Sequence, residues 1–572
     1  MCISSFDNAT TDGKGKPESA NYSRTLPRES VVLGCGCEVY GDEAEELKQR
    51  FRLLRLLIVS SALSMPLLWD LPPRFQFVLA TALQFGPGLY FLRNAIWGLK
   101  NRSLGMDLLV ALSTTAIYVY STVVAFTVTE NIKLYYLCDG VLISLLLFGR
   151  YLESVAIYQS GEAVRGLLRL QPKTAVVLRD GIETEIDAAE IASGDTILLR
   201  PGERIPADGK ILEGNCLVDE SLLTGESEPV QKNPGDSITG GTLDREGKVT
   251  YTATSVGEDS TLQQMAAFVR RAQSEKAPVQ RFADRIASIF VPSVIALAAL
   301  IFALWFFLLA PGDWGKAVST VCGVLVIACP CALGLATPAA LMTASGRAAE
   351  LGILFKGASA IEKAWSIDTV VFDKTGTLTE GIVEPGIKDP LREDAKSAVD
   401  ACRALGLEVW MISGDKEETA RRIAQACGIE HILFEVKPEE KAAQISRLKS
   451  EGRRVAMVGD GINDAPAMAE ADLAIAMGTG TDIAIECADA VLPGGRIGRV
   501  PQALRLAKAT RRTVRQNLGW ALFYNLICIP VAACGIVNPS IAAAAMTLSS
   551  NGILLHSLRL NKAEASNENG KL

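Results

Sequence analysis

Eight apolar segments constrain the fold of this chain more than any other feature of its sequence. A helix that crosses the hydrocarbon core of a bilayer needs about 20 predominantly apolar residues. Hydrophobic residues make up 49% of the 572 residues and charged residues 21%, which excludes a disordered chain. The sequence therefore predicts an α-helical polytopic membrane protein with about eight transmembrane helices. The segments lie at 53–70, 75–98, 107–128, 134–157, 286–310, 317–342, 518–537 and 539–558.

Basic residues indicate which ends of these segments face the cytoplasm. Lysine and arginine cluster at 48–55, 93–102 and 511–515, and Arg559 and Lys562 follow the last segment. The short connections DLPP, TVTEN, APGDWG and VNPS carry almost no positive charge. By the positive-inside rule, both termini and both long insertions are expected in the cytoplasm, with the chain in the plasma (inner) membrane.

The two long insertions, 158–285 and 345–510, differ in pattern. The first alternates apolar and polar residues between glycine and proline turns (TAVVLRDG, DTILLRPGE), which is typical of a small all-β domain. The second alternates apolar strands with helical patterns, which predicts a parallel sheet with crossover helices. The predicted domains are a mostly disordered polar tail without a cleavable signal peptide (1–50), four spans (51–157), the all-β domain (158–285), two spans (286–345), the α/β domain (346–510), two spans (511–560) and a C-terminal tail (561–572).

Acidic and polar motifs follow the predicted strands of the α/β insertion. Asp373 comes directly after the strand Ile367–Phe372, where a carboxylate can attack a phosphoryl group and form an aspartyl-phosphate. Asp460 and Asp464 follow a later strand and fit Mg²⁺, which takes oxygen ligands. Lys441 opens a helix between these strands and could neutralise the transferring phosphoryl group. Ser413-Gly414-Asp415 follows a further predicted strand. A solvated loop is the alternative for any one of these turns, but not for four ordered pieces on successive strands.

Three motifs in order resemble those of the P-type ATPases, within the haloacid-dehalogenase-like phosphotransferases. DKTGTLT resembles the phosphorylation motif, GDGINDAPA the magnesium-binding hinge motif, and TGES in the all-β insertion the actuator loop. The resemblance implies that Asp373 is the nucleophile, that Asp373, the Thr375 carbonyl and Asp460 hold Mg²⁺, and that Glu226 orients the hydrolytic water. It also implies that six residues contact or support the phosphate, namely Ser413, Lys441, Thr377, Gly414, Asn463 and Asp464.

The sixth segment contains Cys329-Pro330-Cys331. Proline has no N–H to bond the Val326 carbonyl, so the helix kinks there. The cysteines are two positions apart, roughly 200° around an ideal helix, and only an opened turn lets both sulfurs approach one ion. A small buried hydrophobe is the alternative for a free cysteine. With two histidines in the whole chain, imidazole-based metal sites are nearly excluded.

Further polar or sulfur-bearing residues lie in the last two segments. Met546, Ser549 and Ser550 share one helical face, and Tyr524 and Asn525 interrupt an apolar run. Such groups usually face the bundle interior, although serine also serves helix packing. Two thiolates and a thioether favour a soft monovalent ion, chiefly Cu(I), with Ag(I) chemically close.

The set CPC, YN and MxxSS resembles the copper-exporting branch of the heavy-metal P-type ATPases. The resemblance implies that the transported metal is lined by Cys329, Cys331, Tyr524, Asn525, Met546 and Ser549. It further implies that Met106, Glu153 and Asp284 receive the metal from the cytoplasm, for which interfacial snorkelling is the alternative. A copper chaperone is a partner that the resemblance allows.

The chain departs from this family in two places. Asp373 and Asp415 are only 42 positions apart, and a globular domain needs about 50 residues of its own, so the nucleotide-binding domain expected near 380–392 is absent. Three interpretations follow. The chain is a deletion with impaired phosphorylation, it uses a small phosphoryl donor or weakly held ATP, or it takes nucleotide-binding capacity from another chain. The usual N-terminal CxxC module is also missing, and Cys35 and Cys37 are more simply a chance pair than a metal site.

The sequence therefore predicts a Cu(I)-exporting primary transporter that forms an aspartyl-phosphate, uses Mg²⁺, and takes ATP or a small phosphoryl donor in a lipid membrane. The alternatives are a membrane Cu(I)-binding protein or conduit that does not pump, and a membrane-tethered phosphatase. A net charge of −7 argues against a nucleic-acid partner held by net positive charge.

Overall fold

The apolar segments fold into long helices that pack against one another. The computed structural model describes residues 31–32, 38–39, 43–69, 71–101, 105–128, 134–160, 172, 174–179, 182–220, 229–261, 263, 277–381, 389–460, 464–478 and 488–562. The α-helices outside the two inserted domains are α1 (Glu43–Ser64), α2 (Pro73–Phe85), α3 (Leu89–Lys100), α4 (Met106–Thr127), α5 (Tyr136–Ser160), α6 (Pro278–Leu304), α7 (Trp314–Ile327), α8 (Cys331–Glu350), α14 (Arg499–Ala533) and α15 (Pro539–Leu558).

Five helical stretches among the described residues are long and apolar enough to cross a membrane, and the bent pair α2–α3 makes a sixth. The five are Leu47–Leu68, Met106–Thr127, Pro278–Leu309, Trp314–Glu350 and Pro539–Asn561. Helices α5 and α14 coincide with the predicted segments 134–157 and 518–537 but do not meet the same criterion. Helix α5 carries Asp139, Arg150 and Glu153 within 18 residues, and the uncharged stretch 516–533 of α14 is interrupted by polar residues such as Asn517 and Asn525. The count of eight spans therefore stays a prediction.

Several boundaries differ from those expected. Two short paired strands, β1 (Val31–Val32) and β2 (Glu38–Val39), and the start of α1 at Glu43 lie within the stretch 1–50 that is predicted to be mostly disordered. The second predicted span bends by 46° between α2 and α3, at Gly86-Pro87-Gly88. Pro87 cannot donate a backbone hydrogen bond, so the helix breaks there.

The first inserted domain is all-β over its described residues, as predicted. A six-stranded antiparallel sheet has the order β4-β3-β5-β11-β6-β9, and a three-stranded sheet has the order β10-β7-β8. Val177, Ile197 and Tyr251 are fully buried in its core. The strands are β3 (Thr174–Arg179), β4 (Ile182–Asp187), β5 (Thr196–Leu199), β6 (Asp208–Glu213), β7 (Cys216–Asp219), β8 (Val230–Lys232), β9 (Ser237–Ile238), β10 (Leu243–Glu246) and β11 (Val249–Ser255).

The second domain has a seven-stranded sheet of order β12-β18-β17-β16-β13-β14-β15. All neighbouring pairs are parallel except β12 with β18 at the edge. This confirms the predicted parallel sheet with crossover helices. The strands are β12 (Leu354–Phe355), β13 (Thr369–Asp373), β14 (Glu408–Ile412), β15 (His431–Leu433), β16 (Val455–Gly459), β17 (Leu473–Met477) and β18 (Ala490–Leu492), and the helices are α9 (Ala358–Ala364), α10 (Ala395–Ala404), α11 (Glu417–Cys427), α12 (Pro438–Ser450) and α13 (Ala465–Glu470).

The α/β domain and the membrane helices share one hydrophobic core. A single cluster of buried residues contains Leu341 of α8, Phe372 of β13 and Leu504 of α14. Helix α8 leads within four residues into β12, and α14 begins seven residues after β18. The domain is thus attached to the bundle by two continuous helices and by packing.

Candidate phosphorylation and transport sites

The central strand β13 delivers Asp373 to the carboxyl edge of the sheet. Asp373 is the last residue of this fully buried strand, one position later than the predicted strand end. Lys441, in the first turn of α12, donates from Nζ to Asp373 Oδ1 at 2.6 Å and to Asp464 Oδ1 at 2.7 Å. All three side chains are buried. The structure thus places the predicted nucleophile and the predicted cation in direct contact.

Asp460 completes a carboxylate cluster with Asp373 and Asp464. Ligand oxygens of the three lie within 4.8 Å of one another, and no other group of three or more His, Cys, Asp or Glu among the described residues could hold a metal ion in this way. Burial, together with the charge of Asp464, raises the pKa of both Asp373 and Asp460 above its ordinary value. Burial would lower the pKa of Lys441, but Asp373 and Asp464 outweigh it and raise that pKa. Three carboxylates with one lysine fit a divalent cation with oxygen ligands.

The loop after Asp373 is shaped by a glycine. Gly376 has φ +73°, and a Cβ there would collide with the Asp460 carboxylate. Arg392 donates from Nη2 to the Gly376 carbonyl at 2.8 Å, which holds the loop beside the cluster. The Thr377 hydroxyl is buried without a hydrogen-bond partner among the described residues. A buried unpaired donor costs free energy unless a ligand satisfies it, which agrees with a phosphate-binding loop.

The next strand end supplies Ser413 and Gly414. Ser413 is buried, and its Oγ accepts a hydrogen bond from the Asp415 N–H at 3.1 Å. Asp415 also pairs with Lys374 at 2.8 Å, which ties this turn to the loop after Asp373. Two other predicted residues, Asn463 and Glu226, lie outside the described residues.

The chain closes on itself where the nucleotide-binding domain was expected. Thr379 pairs with Leu391 in an antiparallel bridge. The Glu380 N–H donates to the Pro390 carbonyl and the Arg392 N–H to the Leu378 carbonyl, each at 3.0 Å. Only residues 382–388 of this turn lie outside the described part, too few for a domain.

The transport segment breaks at the predicted proline. Helix α7 ends at Ile327 and α8 begins at Cys331, so Cys329 and Pro330 lie in the break. The Cys329 and Cys331 sulfurs form a disulfide in the structure, with Cα atoms 5.5 Å apart, so both become free metal ligands only after reduction. Both residues are buried. The opened turn thus brings together two sulfurs that an intact helix would separate.

A third sulfur comes from α15. Met546 Sδ lies 3.8 Å from Cys331 Sγ. On the same helix, the Ser549 hydroxyl is buried and lacks a partner in the described part of the chain. Asn525 is buried in α14, and the half-buried Tyr524 packs on the hydrophobic cluster that contains both cysteines.

One small cavity of about 30 Å³ joins two of these sulfur ligands to the predicted metal entrance. Met106 and Glu153 line it, as do Cys331 and Met546. Asp284 lies in α6, and its side chain is outside the described part of the structure. Two of the three predicted entrance residues therefore face the same space as the predicted transport ligands.

The sequence reasoning did not identify two charged residues of this cavity, Asp107 and Arg150. Arg150 pairs with Asp107 at 2.9 Å and with Glu153 at 3.4 Å, and all three are buried. A signal was available, because Arg150 lies in an apolar segment, where a buried cation requires an acidic partner.

Comparison with known proteins agrees with this architecture. Residues 169–270 match the P-type ATPase actuator domain, and residues 381–472 match haloacid dehalogenase-like hydrolases. A copper-exporting P-type ATPase of Bacillus subtilis is 39% identical over 660 residues, which cover 92% of this chain and 82% of that protein. One of Staphylococcus aureus is 39% identical over 676 residues, covering 96% and 84%.

A solved structure is also similar. The crystal structure of a zinc-transporting PIB-type ATPase in the E2.Pi state has a TM-score of 0.53 and 27% identity, and the match covers 90% of this chain and 100% of that one. The chain therefore belongs to the P-type ATPases, in the branch that contains the copper-exporting relatives, and is a multi-pass membrane protein. The alignment with the Bacillus subtilis protein spans 660 positions, more than the 572 residues of this chain, so that relative has at least 88 aligned positions without a counterpart here.

Proposed function

We propose that this chain exports Cu(I) from the cytoplasm and couples the transport to formation and hydrolysis of an aspartyl-phosphate on Asp373. The observation that carries the proposal is the coexistence of two sites. One is a lysine-paired aspartate at the end of a central parallel strand, and the other is a three-sulfur cluster at a broken membrane helix. The curated relatives are copper exporters, which supports this assignment.

The phosphorylation step uses groups already in contact. A carboxylate oxygen of Asp373 attacks the terminal phosphorus of the donor, an O–P bond forms, and the bond to the leaving group breaks with its electron pair. Lys441 balances charge on the transferring group, and Ser413 and Thr377 offer hydroxyl donors. Asp373, the Thr375 carbonyl and Asp460 would hold Mg²⁺, which supplies positive charge to the phosphate oxygens when it is bound. From its motif, Glu226 orients the water that hydrolyses the aspartyl-phosphate.

The ligand set favours copper over zinc at the transport site. Cys329, Cys331 and Met546 are soft sulfur donors, suited to Cu(I), with Ag(I) as the close chemical analogue. Zinc sites usually include imidazole or carboxylate ligands. The solved relative transports zinc, so similarity of fold does not decide the ion, and the donor atoms carry this argument.

This chain differs from a complete pump in how it can bind the phosphoryl donor. The short closed turn at 379–391 offers no domain to hold adenine. We infer that the donor is ATP bound by the phosphorylation domain alone or a small phosphorylated compound. We further propose that a copper chaperone delivers Cu(I) to the side of the cavity that Met106 and Glu153 line. The chain would lie in the inner membrane with both termini in the cytoplasm.

The test is phosphoenzyme formation in the purified chain reconstituted in lipid and kept reduced. Radiolabelled ATP and radiolabelled acetyl phosphate are supplied separately, with and without Cu(I), and D373N is the control. Hydroxylamine-labile label from ATP that depends on Cu(I) and is absent in D373N supports an ATP-fuelled pump. Label from acetyl phosphate alone supports a small donor. Absence of label from both donors contradicts the proposal.

A further inference from the structure

Two arginines bond the same short turn of the α/β domain, Pro493-Gly494-Gly495, which follows β18 and precedes α14. Arg392 donates from Nη1 to the Gly495 carbonyl at 3.0 Å, and Arg499 donates from Nη1 to the Pro493 carbonyl at 3.1 Å. Gly494 and Gly495 have φ of +75° and +65°, a region that other residues rarely adopt. The turn therefore depends on its glycines for its shape and is held by two guanidinium groups.

The other nitrogens of Arg392 bond the loop that follows the predicted nucleophile. Nη2 donates to the Gly376 carbonyl at 2.8 Å, and Nε donates to the Thr379 carbonyl at 3.2 Å. Both carbonyls belong to DKTGTLT, the motif that begins with Asp373. A guanidinium presents its donors in one rigid plane, so the three bonds fix this loop relative to the turn at 493–495.

Arg499 connects the same turn to a membrane helix. Its Nη1 also donates to the Gly352 carbonyl at 3.0 Å. Gly352 lies two residues after the end of α8, and the first residue of α8 is the predicted transport ligand Cys331. The carbonyls at the C-terminal end of a helix carry partial negative charge and attract a cation. One nitrogen of Arg499 thus bridges the turn and the end of α8.

The burial of Arg499 indicates that its two bonds matter. The side chain belongs to a residue that is only 6% exposed, and its hydrogen-bond acceptors among the described residues are the two neutral carbonyls. Burial, together with the charge of Arg496, lowers the pKa of Arg499 to about 10, so the guanidinium remains charged at neutral pH. A buried charge without an ion-pair partner costs free energy of desolvation, a cost that an apolar side chain would avoid.

The bonds of Arg392 and Arg499 form a continuous path from the phosphorylation loop to α8. We propose that this path relays the phosphorylation state of Asp373 to α8, and that Arg499 is the positioning residue that fixes the end of α8 to the turn. A phosphoryl group on Asp373 changes the charge beside loop 374–379, and a shift of that loop reaches α8 through the two guanidinium groups. The inference rests on the proposed function, because it takes Asp373 as the phosphorylated residue and Cys331 as a Cu(I) ligand.

The relay is tested by a coupling that needs no turnover. Cu(I) is titrated against bicinchoninic acid in the reduced, reconstituted full-length chain, with and without Mg²⁺ and saturating beryllium fluoride, which mimics a phosphorylated aspartate. An exporter must release its ion after phosphorylation, so beryllium fluoride should raise the half-saturating Cu(I) concentration of the wild type by about tenfold or more. In R499Q this ratio should fall to about threefold or less, whereas half-saturation without beryllium fluoride should stay within about twofold of the wild type.

The matched control is K508Q. Lys508 also lies in α14 and donates to a carbonyl at a helix end, that of Leu405 at 3.0 Å, but this helix is α10 of the α/β domain. K508Q should therefore keep the wild-type ratio. R499K retains the charge and should keep more of the ratio than R499Q. R392K/R499Q should be no worse than R499Q, because two breaks in one serial path are not additive.

Two results of the titration overturn the inference. One is a wild-type ratio in R499Q, even if this variant unfolds at a lower temperature, since Arg499 would then only stabilise the fold. The other is a wild type that does not respond to beryllium fluoride. If R499Q does not fold, R392K decides. A lysine cannot bond the Gly376 and Gly495 carbonyls as the arginine fork does, so the ratio should fall, and an unchanged ratio contradicts the relay.

Failure of the proposed function has a different signature. In that case the wild type forms no Cu(I)-dependent phosphoenzyme from ATP or acetyl phosphate. The titration with beryllium fluoride uses no phosphoryl donor, so it still measures whether Arg499 couples the two sites.

Discussion

The phosphorylation site and the transport cavity both bury charged groups, but they balance them differently. Asp373, Asp460 and Asp464 face one lysine, so this cluster carries a net charge of −2 when ionised. In the transport cavity, Arg150 pairs with both Asp107 and Glu153, and the same lining contains the polarisable sulfur atoms of Cys331 and Met546. The first arrangement suits a hard divalent ion and the second a soft monovalent ion. Under the proposed function, this chain would separate its two metals by charge and by donor type.

The largest effect that would test this separation is expected from D373N. The phosphoenzyme should be lost from every donor, because the amide cannot act as the nucleophile. Cu(I) titration should give wild-type affinity, since the sulfur ligands are untouched. Residual acid-stable label in D373N would show that another residue accepts the phosphoryl group.

Lys441→Gln should slow phosphoenzyme formation by about 100- to 1000-fold, in the range seen when one preorganised charge-stabilising donor is removed. K449Q on the same helix is the matched control, because Lys449 bonds the Glu470 carbonyl away from the cluster. Rates are measured by rapid quench at saturating Cu(I). A K441Q enzyme with a normal rate would contradict the assignment of Lys441.

Cys331→Ser should weaken Cu(I) binding by at least about 100-fold, because a hard hydroxyl replaces a soft ligand that contacts both Cys329 and Met546. Copper-independent hydrolysis of acetyl phosphate should persist. The comparison variant is C322S, which alters a buried cysteine outside the cavity lining. Equal losses in both variants would point to disturbed packing.

Met546→Leu should produce the smallest change, a rise of about tenfold in half-saturating Cu(I), because it removes one thioether but keeps the volume. M342L, at a buried methionine of α8, should leave the affinity unchanged. If the two variants behave alike, Met546 is a packing residue and the site has two sulfur ligands.

Sequence reasoning succeeded where a function depends on neighbours along the chain. DKTGTLT lies at one strand end and CPC at one helix break. Because each motif is contiguous, the sequence alone indicates both its place in the fold and the chemistry of its side chains. The pairing of Asp107 with Arg150 joins residues 43 positions apart on separate helices, and it depends on how α4 and α5 pack. No periodicity predicts such a pairing.

The same limit explains the misplaced boundaries. The bend between α2 and α3 lies at Gly86–Gly88, inside the apolar segment 75–98 that the sequence predicts as one span. Helix α1 begins at Glu43, ahead of its apolar segment, because polar residues continue a helix whose stability comes from the part that packs.

The continuous helices between the α/β domain and the membrane have a mechanical consequence. Helix α14 has 35 residues and is therefore about 52 Å long, and α8 starts at Cys331 itself. Because α8 runs unbroken from Cys331 to Glu350, with Pro338 inside it, a rotation of the domain would be transmitted along this one helix to the sulfur of Cys331. The rotational position of Cys331 on α8 therefore matters more than the length of the helix. One residue inserted into α8 would turn the cysteine by about 100° about the helix axis. Seven inserted residues, nearly two whole turns, would largely restore its direction.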